Sequence, residues 1–479
     1  MTMNRRRFLR SGLSIGAAAS LCGPFGNLSV LAAAANQQRF PTGDYKALVC
    51  LFLNGGNDSF NSVIPHSTTG YADYRSSRSV LIADGGVAFE QAMLAGHTLL
   101  PLAASGGLPG GLPSDGESYA MHPALAELRA LFNDGHAAIL ANVGTLLHPT
   151  SQAAYQAGTV AVPPQLFSHS DQTTYWQTSR PDDANANGWG GRIADRLYNA
   201  NTGAIPMSIS LSNNNLFQRG DIVDSYGMSP GGVEKMSYLG SGPESWVIGP
   251  NAAGQTAYEG LLAAGTQTHP FERAFAHSMR SAVANYEIID AALSDATPPT
   301  TPFPATALGE QLAMIARLIQ VRDALGMSRQ VFYASIGNYD THSFQVDDQQ
   351  TNLAQLSQAL TSFHAATVEL GIASSVTTFT ASDFGRSLGV NNDGTDHGWG
   401  GHHFIVGGAV RGRRFYGTLP SLRDDNNPDD TGFGQIIPTT AVDQYAATLA
   451  RWFGVSNSEI ADIFPALSRF DQTDLGFLS

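Results

Sequence analysis

The sequence predicts an α/β fold with a mostly parallel sheet. Short continuous apolar runs end in glycine or polar residues, as expected for strands that are buried on both faces. These runs alternate with longer segments whose apolar residues recur at helical spacing, which is typical of a sheet covered by helices. The chain has 479 residues, of which 43% are hydrophobic and 14% charged, so it can form a sizeable core.

Five apolar runs are predicted to be strands. The first, ALVCLFL, is bounded on its C-terminal side by Asn54, Gly55 and Gly56. The others likewise stop where polar or glycine-rich segments begin. The predicted strands are residues 47–53, 137–143, 330–336, 376–381 and 403–407.

Helical periodicity is found in residues 122–132, 311–325 and 352–370. The middle of the chain, from about residue 188 to 305, is different. It begins with a stretch rich in Gly, Ser and Asn, continues with a helical pattern over 271–293, and ends in a proline-rich loop. We interpret it as an insertion or cap on a single domain that spans residues 36–479, since no repeat period is evident.

The first 35 residues predict a signal peptide. Residues 5–10 (RRRFLR) are basic, a short apolar stretch follows, and residues 31–35 (LAAAA) are small. The paired arginines are typical of the twin-arginine route, so the Tat translocase is the expected partner during export. Because the apolar stretch is shorter than the roughly 20 residues of a membrane span, we expect a periplasmic or secreted protein without a stable membrane anchor.

Charge and cysteine content exclude several functions. The formal net charge of -14 argues against a nucleic-acid binder, which needs a basic face. Of the two cysteines, only Cys50 would remain after cleavage of the signal peptide, so neither a disulfide framework nor a cysteine metal site is expected. Any bound metal would therefore be held by oxygen atoms and imidazoles.

Acids and histidines follow several of the predicted strands directly. In open α/β sheets, ligands bind beyond the carboxyl ends of the strands. Carboxylates that converge there would repel each other unless a cation neutralised them, and Asp with His suits zinc, manganese or a similar ion. An arginine at this edge suits a phosphate or sulfate oxygen. These residues are Asp58, Asp340, His342, Asp383, Arg386, Asp396 and His397.

Each of these residues also has a purely structural interpretation. Asp58 and Asp383 are suited to capping the helix or turn that follows their strands. Asp340 and His342 fit a turn acid and a partly exposed histidine. Asp393, in the turn sequence NNDG, and the alternating pair His402 and His403 are expected to be structural. The joint arrangement at several strand ends favours a metal site more than any single residue does.

Four motifs carry a family resemblance. In order, FLNGGNDSFN, YDTH, SDFGR and GTDHGWGGHHFIVGGAVRGRRFYG, together with the twin-arginine start, resemble the DUF1501 family of exported bacterial proteins. This family is placed in the alkaline phosphatase and sulfatase superfamily. The resemblance implies a three-layer, alkaline-phosphatase-like fold with a metal site at the carboxyl edge of its sheet. It also implies hydrolysis or transfer of phosphate or sulfate esters, small or polymer-borne.

Site residues carry over from the superfamily pattern by position. The resemblance implies one or two divalent ions, such as zinc, manganese or calcium. It implies Ser168 as the nucleophile, with Ser170 or Thr173 as alternatives, and Arg386 as a group that binds substrate oxygens. The implied metal ligands are Asp58, Asp340, His342, Asp383 and His397.

Two departures from the superfamily pattern leave alternatives open. Phe384 stands where alkaline phosphatases place a ligand histidine, and the Asp340-x-His342 spacing is shorter than theirs, so a second ion is expected to be weakly held or absent. A non-catalytic exported scaffold that keeps the fold and perhaps one metal is therefore the alternative to a hydrolase. A small-serine esterase, suggested by GGND, is disfavoured because no nucleophile serine precedes that motif.

Overall fold

A computed structural model describes residues 44–104, 106–233, 252–263 and 265–479. The predicted signal peptide, residues 1–35, lies outside the described residues, and so does part of the predicted insertion. Within the described ranges, no helix combines the length and apolarity needed to cross a membrane.

The centre of the molecule is a nine-stranded sheet. Most neighbouring strands in it are parallel. In chain order the strands are β1 (Lys46–Leu53), β2 (Val63–Pro65), β3 (Tyr119–Met121), β4 (Ala137–Gly144), β5 (Ser208–Ser210), β6 (Tyr226–Gly227), β7 (Arg329–Ile336), β8 (Val376–Ser382), β9 (Arg386–Val390), β10 (Thr395–His397), β11 (Gly401–Gly407), β12 (Phe415–Tyr416) and β13 (Thr440–Ala441).

The strand order in the large sheet is β12-β4-β11-β8-β1-β7-β5-β6, with β13 also paired to β4. Strand β11 runs antiparallel to both of its neighbours, β4 and β8. The hairpin β9–β10 and the pair β2–β3 form two small separate sheets. The sheet is thus mixed but mostly parallel, which confirms the predicted fold class.

Helices cover both faces of the sheet. The α-helices are α1 (Thr68–Arg78), α2 (Gln91–Leu94), α3 (Ala126–Asn133), α4 (Gln152–Gln156), α5 (His169–Thr178), α6 (Trp189–Arg196), α7 (Ala252–Leu262), α8 (Pro270–Asp295), α9 (Ala307–Gln320), α10 (Gln345–Glu369), α11 (Val442–Phe453) and α12 (Asn457–Ile463).

Strand β1 shows why the fold has three layers. Its side chains alternate, so Val49 and Leu51 pack in one apolar cluster with helices α3, α9 and α10. Leu48 and Phe52 point to the other face and pack with helices α6, α11 and α12. Burying each such side chain fully contributes about 1.5–3 kcal/mol. A strand buried on both faces is therefore apolar throughout, as the sequence pattern predicts.

Helix boundaries differ from the predictions where polar capping contacts decide them. Helix α10 begins at Gln345, seven residues before the predicted start, with a polar first turn. Its start is fixed by Asp393, whose carboxylate and carbonyl accept hydrogen bonds from the backbone N–H groups of Phe344 and Gln345. Helix α9 begins at Ala307 because the Thr306 side chain caps it. Such caps are polar contacts, local or tertiary, and the periodicity of apolar residues gives no information about them.

Strands β8, β1 and β7 bring three loops to one edge of the sheet. They are adjacent and parallel, and Leu53 at the end of β1 is paired with both Ser382 and Ile336. The loops after them are joined by hydrogen bonds from Asn54 N to the Ile336 carbonyl and from Asn57 N to Ser382 Oγ. Residues that follow these strands therefore meet at the carboxyl edge.

Candidate metal centre

Three residues from distant parts of the chain offer ligand atoms to one point at this edge. They are His169 at the start of α5, Asp340 in the loop after β7, and His397 at the end of β10. One potential ligand atom from each lies within 4.8 Å of the others. This cluster contains a carboxylate and two imidazoles, a donor set that suits zinc or a similar divalent ion.

His342 lies beside this cluster. Its Nε2 is 3.1 Å from Asp340 Oδ1 and 2.9 Å from His397 Nε2. His397 Nε2 is in turn 3.2 Å from the same Asp340 oxygen. Ligand atoms bond zinc at about 2.0–2.2 Å, so a triangle of this size can be spanned by a single ion.

The three imidazoles share one orientation. Nδ1 of His169 lies 2.7 Å from Asp383 Oδ2, and Nδ1 of His397 lies 2.7 Å from the carbonyl oxygen of Phe167. Nδ1 of His342 lies 3.2 Å from Asp396 Oδ1. When Nδ1–H donates to an oxygen, the neutral ring carries its lone pair on Nε2. Each ring then turns an unprotonated nitrogen toward the cluster, as metal-binding histidines do.

His169 supplies a direct test of whether the cluster fits a metal ion. Its Nε2 is buried and has no hydrogen-bond partner, although Asp340 Oδ2 is 3.4 Å away. A buried polar atom without a partner is uncommon and unfavourable. An ion at this position would satisfy that nitrogen and would also separate the facing Nε2 atoms of His342 and His397. The residues therefore fit a divalent ion.

Asp340 is held in place by a buried arginine. Arg386 Nη1 donates to Asp340 Oδ1 at 2.7 Å, and Nε of the same arginine donates to Thr395 Oγ1 at 3.2 Å. Its guanidinium also donates to the carbonyl oxygens of Gly55 and Thr395. The Arg386 side chain is fully buried. These contacts fix the orientation of the carboxylate; a direct contact of Arg386 with substrate stays a prediction.

Asp58 has a different environment from the other predicted ligands. Its Oδ1 accepts from Arg78 Nη2 at 2.6 Å, and its Oδ2 accepts from Gln345 Nε2 at 2.6 Å. Backbone N–H groups of Phe60 and Asn61 also donate to Oδ1. The structure thus places Asp58 in a buried ion pair rather than in the cluster of His169, Asp340 and His397, and its assignment as a ligand stays a prediction.

Asp383 contacts the cluster through His169. One carboxylate oxygen lies against the imidazole and the other accepts from Gly55 N at 3.2 Å. Asp396 has the corresponding contact with His342 and also accepts from Asn391 Nδ2 at 2.6 Å. Both acids are therefore placed to orient imidazoles.

Ser168 lies between two residues that touch the cluster. The preceding carbonyl, of Phe167, is bonded to His397, and the following side chain is His169. Ser168 is the N-cap residue of α5, and its Oγ lies 2.5 Å from Asp171 Oδ2 and 3.3 Å from Ser170 Oγ. A half-buried hydroxyl hydrogen-bonded to a carboxylate, beside the cluster, is consistent with the predicted nucleophile.

Phe384 packs directly on the cluster. Its ring centroid lies 4.8 Å from that of His169 and 4.6 Å from that of His397. The ring is buried against Gly56, whose φ of 85° and close approach to the ring leave no room for a Cβ atom. At this position the chain therefore places an apolar wall behind two imidazoles, where alkaline phosphatases have a ligand.

Charge and burial shift several pKa values in the cluster. The hydrogen bond to Asp383 raises the pKa of His169. Burial lowers the pKa of His397, which favours the neutral ring. Burial alone would raise the pKa of Asp340, but Arg386, His169 and His342 together lower it below its ordinary value. The cluster thus keeps Asp340 ionised and His397 neutral, the forms that bind a cation.

The residues expected to be structural lie outside the cluster. His402 and His403 are buried, and burial lowers the pKa of each to about 3. His402 Nδ1 accepts from Asn142 N, and the His403 ring packs edge-on against Trp176. Asp393 caps helix α10.

Sequence reasoning did not single out His169 as a ligand. The reason is that residues 168–171 (SHSD) carry no metal-ligand spacing. The partner Asp383 is 214 positions away, so no local pattern joins the two. The available signal was a lone histidine beside Ser168, which by itself indicates nothing about a metal.

Comparison with known proteins identifies the family. The family model described as a protein of unknown function (DUF1501) matches residues 45–442. The chain belongs to the DUF1501 family. This confirms the resemblance drawn from the motifs. No curated protein sequence matches the chain.

Two solved structures of enzymes are among those that are similar to this chain. One is the lipoteichoic acid synthase LtaP from Listeria monocytogenes, with 7% identity, a TM-score of 0.34, and coverage of 89% of this chain and 78% of that one. The other is the PsFucS1 sulfatase from Pseudoalteromonas sp., with 10% identity, a TM-score of 0.33, and coverage of 94% and 76%. At these scores we draw no argument about chemistry from either, and the site has to be interpreted from its own geometry.

Proposed function

We propose that this DUF1501 protein is a metal-dependent hydrolase of phosphate or sulfate esters. The proposal rests on one observation above all: three imidazoles turn Nε2 inward beside Asp340, while an oxygen atom fixes each Nδ1. His169, His342, His397 and Asp340 would hold one divalent ion. The predicted signal over residues 1–35 would place this activity in the periplasm or outside the cell.

The chain's own residues have distinct roles in this proposal. A bound divalent ion supplies Lewis acidity that stabilises negative charge on ester oxygens. Arg386 positions Asp340, and Asp383 positions His169. Ser168 Oγ attacks the phosphorus or sulfur atom as the bond to the ester alcohol oxygen breaks, and the hydroxyl proton passes to the Asp171 carboxylate 2.5 Å away while solvent protonates the departing alkoxide. Water then attacks the phosphoserine or sulfoserine, which releases phosphate or sulfate and restores the Ser168 hydroxyl. The first N–H groups of helix α5, which point toward its N-terminus, favour the anionic group that Ser168 would carry.

Metal binding is the first test. The mature chain is freed of metal and titrated with zinc, manganese and calcium in turn by calorimetry. We expect binding of one ion with a matching gain in melting temperature. His169→Ala should lose binding, whereas His403→Gln, a buried histidine outside the cluster, should keep it. Absence of binding by the wild-type chain for all three ions would refute the proposed metal centre.

Turnover is the second test. Each metal-loaded form is assayed with aryl phosphate and aryl sulfate esters. Ser168→Ala should abolish turnover but keep metal affinity, because the Ser168 hydroxyl contacts Ser170 and Asp171, which are not among the four proposed ligands. Ser170→Ala and Thr173→Ala should stay active; loss of activity in one of them instead would move the nucleophile to that residue.

A non-catalytic exported scaffold is the second candidate. Two observations favour it: Arg386 already neutralises much of the charge of Asp340, and Phe384 occupies the position of a superfamily ligand. A scaffold predicts one tightly bound ion and no turnover of either ester class. It also predicts that Asp340→Asn lowers the melting temperature of the metal-loaded chain as much as removing the metal does.

A further inference from the structure

Two exposed phenylalanines lie in segments that border a hairpin of the candidate metal centre. The exposed fraction is 71% for Phe344 and 83% for Phe433. Both adjoin the hairpin β9–β10, which carries Arg386 and His397. Isolated exposed apolar residues are common on protein surfaces. These two differ because the backbone around each is fixed by specific contacts.

The loop that carries Phe433 is built around one carboxylate. Asp430 Oδ1 accepts hydrogen bonds from the backbone N–H groups of Gly432, Phe433 and Gly434, at 3.0, 3.2 and 2.8 Å. From helix α4, Gln152 Nε2 donates to the carbonyl oxygens of Asn427 and Asp430. The backbone that carries the exposed Phe433 ring is therefore fixed.

Phe344 is also fixed, and its backbone is strained. It has a φ of 54°, in the left-handed region that a bulky residue rarely adopts. Its N–H donates to Asp393 Oδ2 at 3.0 Å, which holds this conformation at the start of α10. Strained residues persist where the surroundings enforce them, and they are concentrated at functional sites.

The hydrogen bonds of the hairpin place the segments that carry the two phenylalanines on its opposite edges. On the outer edge of β9, Leu388 N donates to the carbonyl of Gly434, next to Phe433. On the outer edge of β10, Thr395 N donates to the carbonyl of Thr341, in the loop that leads to Phe344. Three strand spacings separate these two backbone segments, or roughly 14 Å. The hairpin between them carries Asp396 and His397.

The surface of the metal centre next to these segments is open and polar. The side chains of His342 and Asp340 are 44% and 45% exposed, and that of Asp396 is 61% exposed. A deep cavity would enclose a small ester, whereas this arrangement leaves the metal centre accessible from the surface. It suits an ester group at the edge of a molecule larger than the centre itself.

We propose that Phe344 and Phe433 are stacking platforms for the sugar rings of a glycan whose phosphate or sulfate ester enters the metal centre. This inference rests on the proposed function and names its substrate class. A glycan presents apolar ring faces separated by hydroxyl groups, which matches two aromatic faces separated by a polar surface. An acyl chain would need a continuous apolar surface instead.

The charges around the rings restrict the glycan further. Asp393 and Asp430 accept hydrogen bonds from the backbone of Phe344 and Phe433, Asp396 lies on the hairpin, and Asp424 and Asp425 precede Phe433 in the sequence. A densely charged polyanion would be repelled there, in a chain whose net charge is -14. The expected ligand is therefore a largely neutral glycan with few ester groups.

The test measures glycan binding separately from catalysis. The mature chain, metal-free and zinc-loaded, is titrated with cellohexaose, maltohexaose and chitohexaose, and with mono-phosphorylated and mono-sulfated forms of each. We expect at least one neutral hexasaccharide to bind both forms. Phe433→Ser and Phe344→Asn, which tolerates a positive φ, should each weaken binding about five- to tenfold. Phe271→Ser, at an exposed phenylalanine of helix α8, should bind like wild type.

The outcomes separate this inference from the proposed function. If no hexasaccharide binds, or if both variants bind as well as Phe271→Ser, the platforms are refuted even when zinc binds. Binding to neutral phosphatidylcholine vesicles that is lost in the two variants would also overturn the inference, in favour of a lipid surface. If glycan binding follows the expectation while zinc does not bind, the platforms stand and the hydrolase proposal fails.

Discussion

Gln345 Nε2 donates a 2.6 Å hydrogen bond to Asp58 Oδ2, and this contact joins the acid after the first strand to the metal centre. The other end of the Gln345 amide, Oε1, accepts from Thr395 Oγ1 at 2.7 Å. Thr395 in turn accepts from Arg386, which holds Asp340. Asp58 therefore reaches the centre through a chain of buried side chains.

Gln345→Leu tests whether this chain of contacts orients the metal centre. The substitution keeps the size and burial of the side chain but separates Asp58 from Thr395 and Arg386. We expect zinc affinity to fall about tenfold, at the lower end of the 10- to 100-fold losses seen when residues that orient metal ligands are changed. Calorimetric titration of the metal-free chain measures this affinity.

Gln349→Leu is the matched control for that change. Gln349 is also buried on helix α10 and also bonds Asp58, but through the backbone carbonyl, at 2.7 Å. Both variants leave a buried acceptor without its donor, which costs about 1–3 kcal/mol of folding free energy. Equal losses of zinc affinity in the two variants would show that the effect is one of stability alone.

Gly55→Ala tests the close approach of two loops. Gly55 has a φ of 115°, and an added Cβ would clash with the backbone nitrogen of Asp340. Gly85→Ala is the control, because Gly85 has a φ of 87° but nothing within 4 Å of the added atom. Both variants should lose about 1 kcal/mol of unfolding free energy because of backbone strain. Only Gly55→Ala should also weaken zinc binding, and unfolding in urea with metal titration separates the two effects.

Asp383→Asn should change the titration of His169. The hydrogen bond to Asp383 is the largest cause of the raised pKa of His169, while burial opposes it. Without the carboxylate the pKa should fall, which NMR of the imidazole C–H signals in the metal-free chain would show. The pKa of the buried His364 on helix α10, which burial lowers to about 4, should stay unchanged. An unaltered pKa of His169 would mean that the contact with Asp383 is absent in solution.

The same pair has a predictable effect on stability. Because the pKa of His169 is raised in the folded chain, its stabilising contribution is present below the ordinary imidazole pKa and is lost as the pH rises through the raised value. Asp383→Asn should therefore reduce the melting temperature of the metal-free chain more at about pH 5 than at about pH 8. The reverse order would contradict the assigned direction of the shift.

The strands could be predicted because both of their faces are buried. A strand such as β1 must be apolar along its whole length, and this leaves an unmistakable run in the sequence. Parallel strands bring the loops behind them to one edge, so a shared edge for Asp340 and Asp383 could be predicted, whereas the strand order β8-β1-β7 that brings them close could not. The sheet topology thus determines which loops lie at the same edge, independently of the side-chain contacts.

Pairings between distant loops could not be predicted in the same way. His169 is joined to Asp383, and Asp58 to Arg78, by contacts that depend on where helices α5 and α1 pack. In the sequence, Arg78 only ends a polar helix, and nothing marks it as a fully buried cation. A buried ion pair produces no repeating pattern along the sequence, because it depends only on where its two residues lie in the tertiary structure.

A buried acid away from the metal centre provides a last prediction. Asp443, on helix α11, is 2% exposed, and its Oδ1 has no hydrogen-bond partner. Burial raises the pKa of Asp443 to about 7, although Ser179 and Arg192 oppose the shift. The folded chain therefore holds a proton that the unfolded chain releases above its ordinary pKa of 3.8.

The direction of the stability change follows from this proton. Between about pH 4 and 7 the folded state binds more protons than the unfolded state, so the contribution of Asp443 to stability falls as the pH rises. At about 1.4 kcal/mol per pKa unit, the total loss of unfolding free energy is on the order of 4 kcal/mol.

Asp443→Asn removes the ionisation, so its advantage in unfolding free energy over wild type should grow by a few kcal/mol between about pH 5 and pH 8. Asp462→Asn, at an exposed acid of helix α12, should show little such growth. Urea unfolding of all three chains at both pH values measures the difference, and a constant offset for Asp443→Asn would mean that Asp443 is already ionised in the folded chain at pH 5.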